Sequence, residues 1–324
     1  MWDKYQPTRR DFLTLAAGAF AVSAVPLARS RYRSRLHTRS LPAMGTVAEL
    51  AVVHRDERYA QQAMQAALAE LHRVEGRLTR FSATSDIGRA NSMAGAQRVA
   101  ISPESALVVQ YALSWASASN GGFDPAMARV VDLWDVKHRH VPPAPQQVAR
   151  LAGRRLYRHI DVDAASVFVR EADALIDLGG IACGYGVDRA AAVLREWGIN
   201  NGYINVGGDI YALGHGVDGE PWRIGVRSPS DPDALITTVQ LSDAAIATSG
   251  DYEQGYTYRG RRYHHIIDPA LAEPRVTATH TVTVVADCCM DADAASTAVF
   301  GLTPDAAQHV LALRAPSSRI VATG

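Results

Sequence analysis

Apolar side chains recur at Ala63, Ala67, Leu71, Val74 and Leu78, a spacing that lines one face of a helix over residues 60–78. The same period predicts helices over 103–119, 187–197, 291–302 and 304–313. Ser102 stands as N-cap of the second helix, with Pro103 at its first position. Short β-rich runs predict strands at 47–53, 166–170, 174–177, 203–213, 222–227, 235–241, 279–285 and 319–322. Residues 256–258 and 262–267 flank Arg259-Gly260-Arg261, a hairpin signal, and Pro142-Pro143 with Pro145 marks a loop. Helices and strands mix without a strict βαβ rhythm. The expected fold is therefore α+β, with antiparallel sheets flanked by helices.

Composition narrows the functional classes. Lys plus Arg equals Asp plus Glu, at 33 each among 324 residues, and this balance argues against a nucleic-acid partner. Three cysteines, Cys183, Cys288 and Cys289, make no disulfide framework. The start of the chain differs from the rest. Arg9-Arg10 in Thr8-Arg9-Arg10-Asp11-Phe12-Leu13 precedes an uncharged run over 12–28. That is the pattern of a twin-arginine signal peptide over 1–28, with Val22-Ser23-Ala24 or Pro26-Leu27-Ala28 as the cleavage site. A basic linker over 29–40 and one domain over 41–324 follow, and the expected location is periplasmic. This export route carries folded proteins, which hints at a cofactor acquired beforehand.

Glycine and polar residues concentrate in a few places. Met44-Gly45-Thr46 precedes a strand, and Phe81-Ser82-Ala83-Thr84-Ser85-Asp86 reads as a capped helix start. In Gly121-Gly122-Phe123-Asp124-Pro125, Gly121 suits a helix C-cap and the proline holds Asp124 extended. Asp177-Leu178-Gly179-Gly180-Ile181-Ala182-Cys183-Gly184-Tyr185 reads as strand, glycine turn and helix start. Bare backbone there can approach a ligand, and the helix N-terminus favours anions. The segment lacks both the dinucleotide fingerprint and the Gly-Lys-Ser/Thr of a P-loop. Asn205-Val206-Gly207-Gly208-Asp209 suits a bulge or a close ligand approach. A loop reading of Thr248-Ser249-Gly250-Asp251 precedes a hairpin bearing His264, His265 and Asp268. Asp293 and Thr297, four apart, share one helix face; carboxylate plus hydroxyl suits Mg²⁺ or Ca²⁺, or simply an acidic first turn answering the helix dipole.

Taken in order, these clusters resemble the ApbE family, the FAD:protein FMN transferases, from about Met44 to Leu302. The resemblance implies a T-fold-like α+β unit with FAD in a groove. It implies that Met44, Phe81, Gly122, Phe123, Asp124, Asp177, Cys183 and His265 stand at FAD-contacting positions. It likewise implies that Asp293, Thr297 and the Gly180 carbonyl hold Mg²⁺. Many relatives carry Lys at Cys183, so the phosphate charge would fall on the ion and on Arg262. The implied reaction moves FMN from FAD to a Thr or Ser hydroxyl of an acceptor redox protein, often membrane-attached, and releases AMP. His265 is the expected base, with Asp251 second. Water in place of the hydroxyl would make the chain an FAD pyrophosphatase. Loss of the chemistry would leave a flavin-binding protein.

Overall fold

Antiparallel pairing runs through every sheet of the fold. The computed structural model describes residues 20–23, 34–231, 233–252 and 254–324. In chain order the strands are β1 (Phe20–Ser23), β2 (Arg35–Ala43), β3 (Thr46–His54), β4 (Val99–Ala100), β5 (Ile160–Val162) and β6 (Ser166–Val169). There follow β7 (Gly202–Val206), β8 (Asp209–Leu213), β9 (Trp222–Arg227), β10 (Leu235–Leu241), β11 (Ala244–Gly250) and β12 (Gly255–Tyr258). The last are β13 (Arg261–His264), β14 (Ile267–Asp268), β15 (Glu273–Pro274), β16 (Thr281–Ala286) and β17 (Arg319–Thr323). A seven-stranded sheet, ordered β17-β16-β11-β8-β7-β3-β2, forms the frame. Three-stranded sheets β1-β9-β10 and β4-β6-β5 and the two hairpins β12-β13 and β14-β15 complete the set.

The helices are α1 (Glu57–Leu78), α2 (Asp86–Ser92), α3 (Pro103–Ala118), α4 (Ala128–Trp134), α5 (Pro145–Ala149), α6 (Ala182–Glu196), α7 (Cys289–Val299) and α8 (Pro304–Arg314). One face of the large sheet is covered by α1 and α6, whose Leu68, Leu71, Val187 and Leu194 meet Leu50, Val52 and Ile204. The opposite face packs Tyr203, Ile210, Ile246 and Val285 against Trp222, Ile224 and Val226 of β9. Helix α7 follows β16 directly and folds back across β16 and β11. Its alanines (Ala292, Ala294, Ala295, Ala298) are fully buried, and their small size lets its backbone lie close to the strands. Among the described residues no helix is long and apolar enough to cross a membrane.

The α+β architecture with antiparallel sheets is the one the sequence predicts. Ser102 caps α3 by accepting from Ser105 N, Ser85 caps α2 by accepting from Gly88 N, and Gly121 takes φ +85° past the end of α3. Four expectations need correction. The basic segment 29–40 is strand from Arg35 onward, because β2 is an edge strand whose outward Arg35 meets solvent. The run 203–213 is two strands; Gly207 and Gly208, at φ +63° and +105°, make the two-residue hairpin turn between them. Residues 174–177 join no ladder, since Ile176 exchanges hydrogen bonds with the Asn91 amide and Asp177 N donates to Pro125 O. Thr248–Gly250 lies in β11 rather than in a loop. Arg9, Arg10 and most of the expected signal peptide lie outside the described residues; within it, Phe20–Ser23 pairs with β9.

Candidate functional site

The glycine turn before α6 and the second half of α7 meet at the centre of the site. A Cβ placed on Gly180 would stand 3.3 Å from Thr297 Oγ1 and 3.2 Å from the Phe123 ring, so any larger residue would press on both side chains. Phe123 is itself 5% exposed and is steered inward by its N–H, which donates to Ser119 Oγ at 2.9 Å. Asp293 lies one turn before Thr297 on α7 and is buried. Its carboxylate accepts the Gly184 N–H at 3.0 Å, and it is hydrogen-bonded to the carboxylate of Asp209 at the start of β8. Burial, with Asp188 nearby, pushes the Asp293 ionisation well above the usual carboxylate range. Thr297 shares a 3.1 Å hydrogen bond with Ser249 of β11, and Ser249 a 2.8 Å bond with Ser296. These bonds fix α7 against the strand.

A second group surrounds Asp177. Its Oδ1 accepts the Gly179 N–H at 2.8 Å, and its Oδ2 lies 2.8 Å from Arg80 Nε. Arg80 also grips Asp132 and lies 4.3 Å from the centroid of the Phe81 ring. Phe81 is 71% exposed, an aromatic face presented to solvent beside the turn. Such a face suits stacking on a flat heterocycle.

The Gly122 loop is held from below. Arg275 donates to Gly122 O at 3.0 Å and also to Phe300 O at the end of α7. The carboxylate of Asp124 accepts from Ala126 N at 2.8 Å and from Tyr157 N at 3.2 Å. Burial raises Asp124 to about 6 against these backbone donors. This carboxylate thus serves the loop as a staple.

The remaining expected residues ring this centre. Met44, at φ +55°, and Gly45 form the β2–β3 turn, with their N–H groups on the Glu75 carboxylate at 2.9 and 3.1 Å. The Met44 methyl reaches toward Gly186 of α6. Cys183 is desolvated and faces Asp209, Asp293 and Glu75, which push its thiol well above its ordinary range; it is a neutral group. His265 is lowered to about 4 by burial, so its imidazole is neutral, and its Nδ1 lies 3.5 Å from Gln254 O. Its neighbour His264 is spent on structure, with Nε2 donating to Arg275 O at 2.7 Å and Nδ1 accepting from Ile266 N. Asp251 is buried, and its Oδ2 lies 2.8 Å from His280 Nδ1. Arg262 donates to the Asp251 carbonyl at 2.9 Å.

Arg80, Arg275, Asp209 and His280 carry this geometry without having stood out as candidates in the sequence. Asp209 ends the glycine-rich run Asn205-Val206-Gly207-Gly208-Asp209 and Arg80 adjoins Phe81, so both have a local signal. Arg275 and His280 sit in segments with none.

The donors fit a hard divalent cation. Among the described residues no three His, Cys, Asp or Glu side chains gather as a metal cage. Mixed oxygen donors remain, namely the Asp293 carboxylate, the Thr297 hydroxyl and the Gly180 carbonyl. A carboxylate whose charge is opposed by burial and by neighbouring Asp188 is where a cation would relieve the most strain.

Comparison with known proteins gives a consistent picture. The ApbE family model matches residues 44–320. A Klebsiella pneumoniae (strain 342) protein named FAD:protein FMN transferase is 33% identical over 273 residues, 83% of this chain and 83% of its own. A Vibrio cholerae (O395) protein of the same name is 30% identical over 261 residues, 79% of this chain and 78% of its own. The crystal structure of the ApbE protein from Thermotoga maritima superposes with a TM-score of 0.80 at 27% identity, covering 90% of this chain and 96% of that one. The flavin transferase ApbE from Vibrio cholerae does so at 0.75 and 27%, covering 86% of this chain and 90% of that one.

Proposed function

The chain belongs to the ApbE family, and from that premise we propose that it transfers FMN from FAD to a Thr or Ser hydroxyl of an acceptor protein, releasing AMP. The observation that carries the reading is the meeting of the Gly180 turn, Phe123 and the Asp293–Thr297 face of α7 at one point.

Cleaving a pyrophosphate needs neutralised phosphate charge, an aligned nucleophile and a stabilised leaving group. Asp293, Thr297 and the Gly180 carbonyl would hold Mg²⁺, which when bound neutralises charge on the phosphates. The protein's own groups do the rest. The bare turn at Gly179-Gly180 and the N-terminus of α6 admit and orient the anionic bridge. Phe81 offers its exposed ring to a flat ring of the dinucleotide, and Arg80 holds that ring and Asp177 in place. Arg275 and Asp124 keep the Gly122-Phe123 loop in position. Neutral Cys183 adds no positive charge, so phosphate neutralisation rests on the cation. His265, neutral at physiological pH, can donate or accept a hydrogen bond at the phosphate or take the hydroxyl proton.

The Arg9-Arg10 pattern supports the further proposal that the chain works in the periplasm on an acceptor redox protein, which can itself be attached to the inner membrane. Product analysis tests the reading. The purified protein is incubated with FAD, Mg²⁺ and a periplasmic extract. The expected products are AMP and a fluorescent band of protein-bound FMN on a denaturing gel. AMP with only free FMN would replace the transferase with an FAD pyrophosphatase.

A further inference from the structure

The end of the large sheet beside α7 carries an acid–imidazole pair, Asp251 and His280, to which the reaction proposed above gives no step. Asp251 N donates to His280 O at 3.1 Å, so the two residues continue the β11–β16 ladder by one step beyond Gly250 and Thr281. Side chains alternate along a strand. Ala245, Ala247 and Ser249 of β11 point to the helix side of the sheet, where Ser249 meets α7, and Asp251 falls in the same series. Val282 and Val284 of β16 also face the α7 side, and His280 falls in that series. Both side chains therefore lie on the α7 face. Helix α7 runs back along β16, so its later residues, Thr297 among them, overlie this end of the sheet. Asp251 stands two positions along the strand from Ser249, a span of about 7 Å. Ser249 in turn touches Thr297 at 3.1 Å.

The pair has the form of a base held by an orienting carboxylate. His280 Nδ1 and Asp251 Oδ2 are 2.8 Å apart; the Asp251 side chain is 9% exposed and the His280 side chain 56%. Asp251 is itself fixed, because Arg262 donates twice to its carbonyl. A carboxylate on Nδ1 sets the tautomer with Nδ1–H, leaving Nε2 with its lone pair. Among the described residues Nε2 meets no protein partner. His264 and His265 of the neighbouring hairpin and Arg262 are the other titratable groups facing Asp251. His264 is bonded at both nitrogens, and His265 is desolvated.

We infer that His280, oriented by Asp251, is the group that takes the proton from the acceptor hydroxyl, an inference that rests on the transferase reading above. In the step, the hydroxyl gives its proton to His280 Nε2 as its oxygen bonds to the FMN phosphorus. The bond from that phosphorus to the bridging oxygen breaks, and AMP leaves with the electron pair. The Asp251 carboxylate stabilises the imidazolium until its proton passes to solvent. His265 then remains a neutral hydrogen-bonding group at the phosphate. The exposure of His280 suits this division, because a protein-borne hydroxyl must arrive from outside.

The test uses the full chain with FAD, Mg²⁺ and the periplasmic extract whose acceptor the unmodified protein labels. His280→Ala should slow FMN transfer about a hundred-fold or more, with FAD affinity, read from flavin fluorescence, unchanged within about two-fold. Added imidazole should restore part of the rate in His280→Ala and none in the unmodified protein. Asp251→Asn should slow transfer less, and the double variant should be no slower than His280→Ala. Transfer by His280→Ala at the unmodified rate would overturn the inference. So would a slow variant that has lost FAD affinity and does not respond to imidazole. If the unmodified protein itself labels no acceptor, the transferase reading falls first and the inference with it.

Discussion

Gly184 donates its backbone N–H to the carboxylate of Asp293 at 3.0 Å, joining the first turn of α6 to α7 at the proposed metal position. The contact demands glycine. A Cβ on residue 184 would stand 2.3 Å from Cys289 O and 2.9 Å from Asp293 Cβ, closer than real atoms come. Gly184→Ala should therefore push α6 and α7 apart, costing about 1–3 kcal/mol of stability. Thermal unfolding should show a lowered Tm together with weaker FAD binding. An unchanged Tm would mean that the two helices do not meet in this way.

Arg275 lies between the Gly122 loop and the end of α7, donating to a carbonyl of each. Burial lowers its ionisation, with Asp268 as the opposing influence. Arg275→Met keeps much of the bulk but strands both carbonyls, a loss of about 1–3 kcal/mol. Phe123 sits in that loop, so the FAD Kd should rise along with the destabilisation. Arg275→Lys should rescue only part, because an ammonium cannot span both acceptors in the same plane. Full rescue by lysine in a fluorescence titration would reduce the role of Arg275 to charge alone.

Asp188 makes stability depend on pH. Its carboxylate accepts from Cys289 N at 2.7 Å and Met290 N at 2.9 Å and so caps α7 from α6. Burial nonetheless raises it to about 6, against the pull of those two donors. A raised acid binds its proton more tightly in the folded state, so stability falls as pH rises from the unfolded value through 6. Between pH 4 and pH 7.5 this group alone should cost on the order of 3 kcal/mol. Asp188→Asn keeps an acceptor and removes the titration. Its stability relative to the unmodified chain should improve across that window in denaturant unfolding. Parallel curves for the two proteins would contradict the burial argument.

Much of this was legible in the sequence, and the failures have physical reasons. The stripe of Ala63, Ala67, Leu71, Val74 and Leu78 defines α1 because burial of one face is a local pattern. The caps at Ser85 and Ser102 were legible for the same reason. Strand β11 was not: Ala244-Ala245-Ile246-Ala247-Thr248-Ser249-Gly250 has small residues throughout, since α7 and a neighbouring strand press on it, and small residues carry little strand signal. Helix α7 begins at Cys289, earlier than its own acidic turn suggests, because its cap is Asp188 from another helix. At the site, residues inside glycine-rich runs announced themselves. Arg275 and His280 gain meaning only from what folding brings beside them.

The reading of the site turns on Asp293, and one measurement tests it most directly. Protein-bound FMN formed from FAD is followed by in-gel fluorescence as Mg²⁺ is varied, for the unmodified protein and for Asp293→Ala. The unmodified protein should transfer FMN with saturating dependence on Mg²⁺, release AMP in equal amount and stop in EDTA. Asp293→Ala should be slower by about a hundred-fold or more at the same Mg²⁺, a larger loss than His265→Ala produces. Unchanged transfer by Asp293→Ala at ordinary Mg²⁺ would contradict the assignment of the cation to α7.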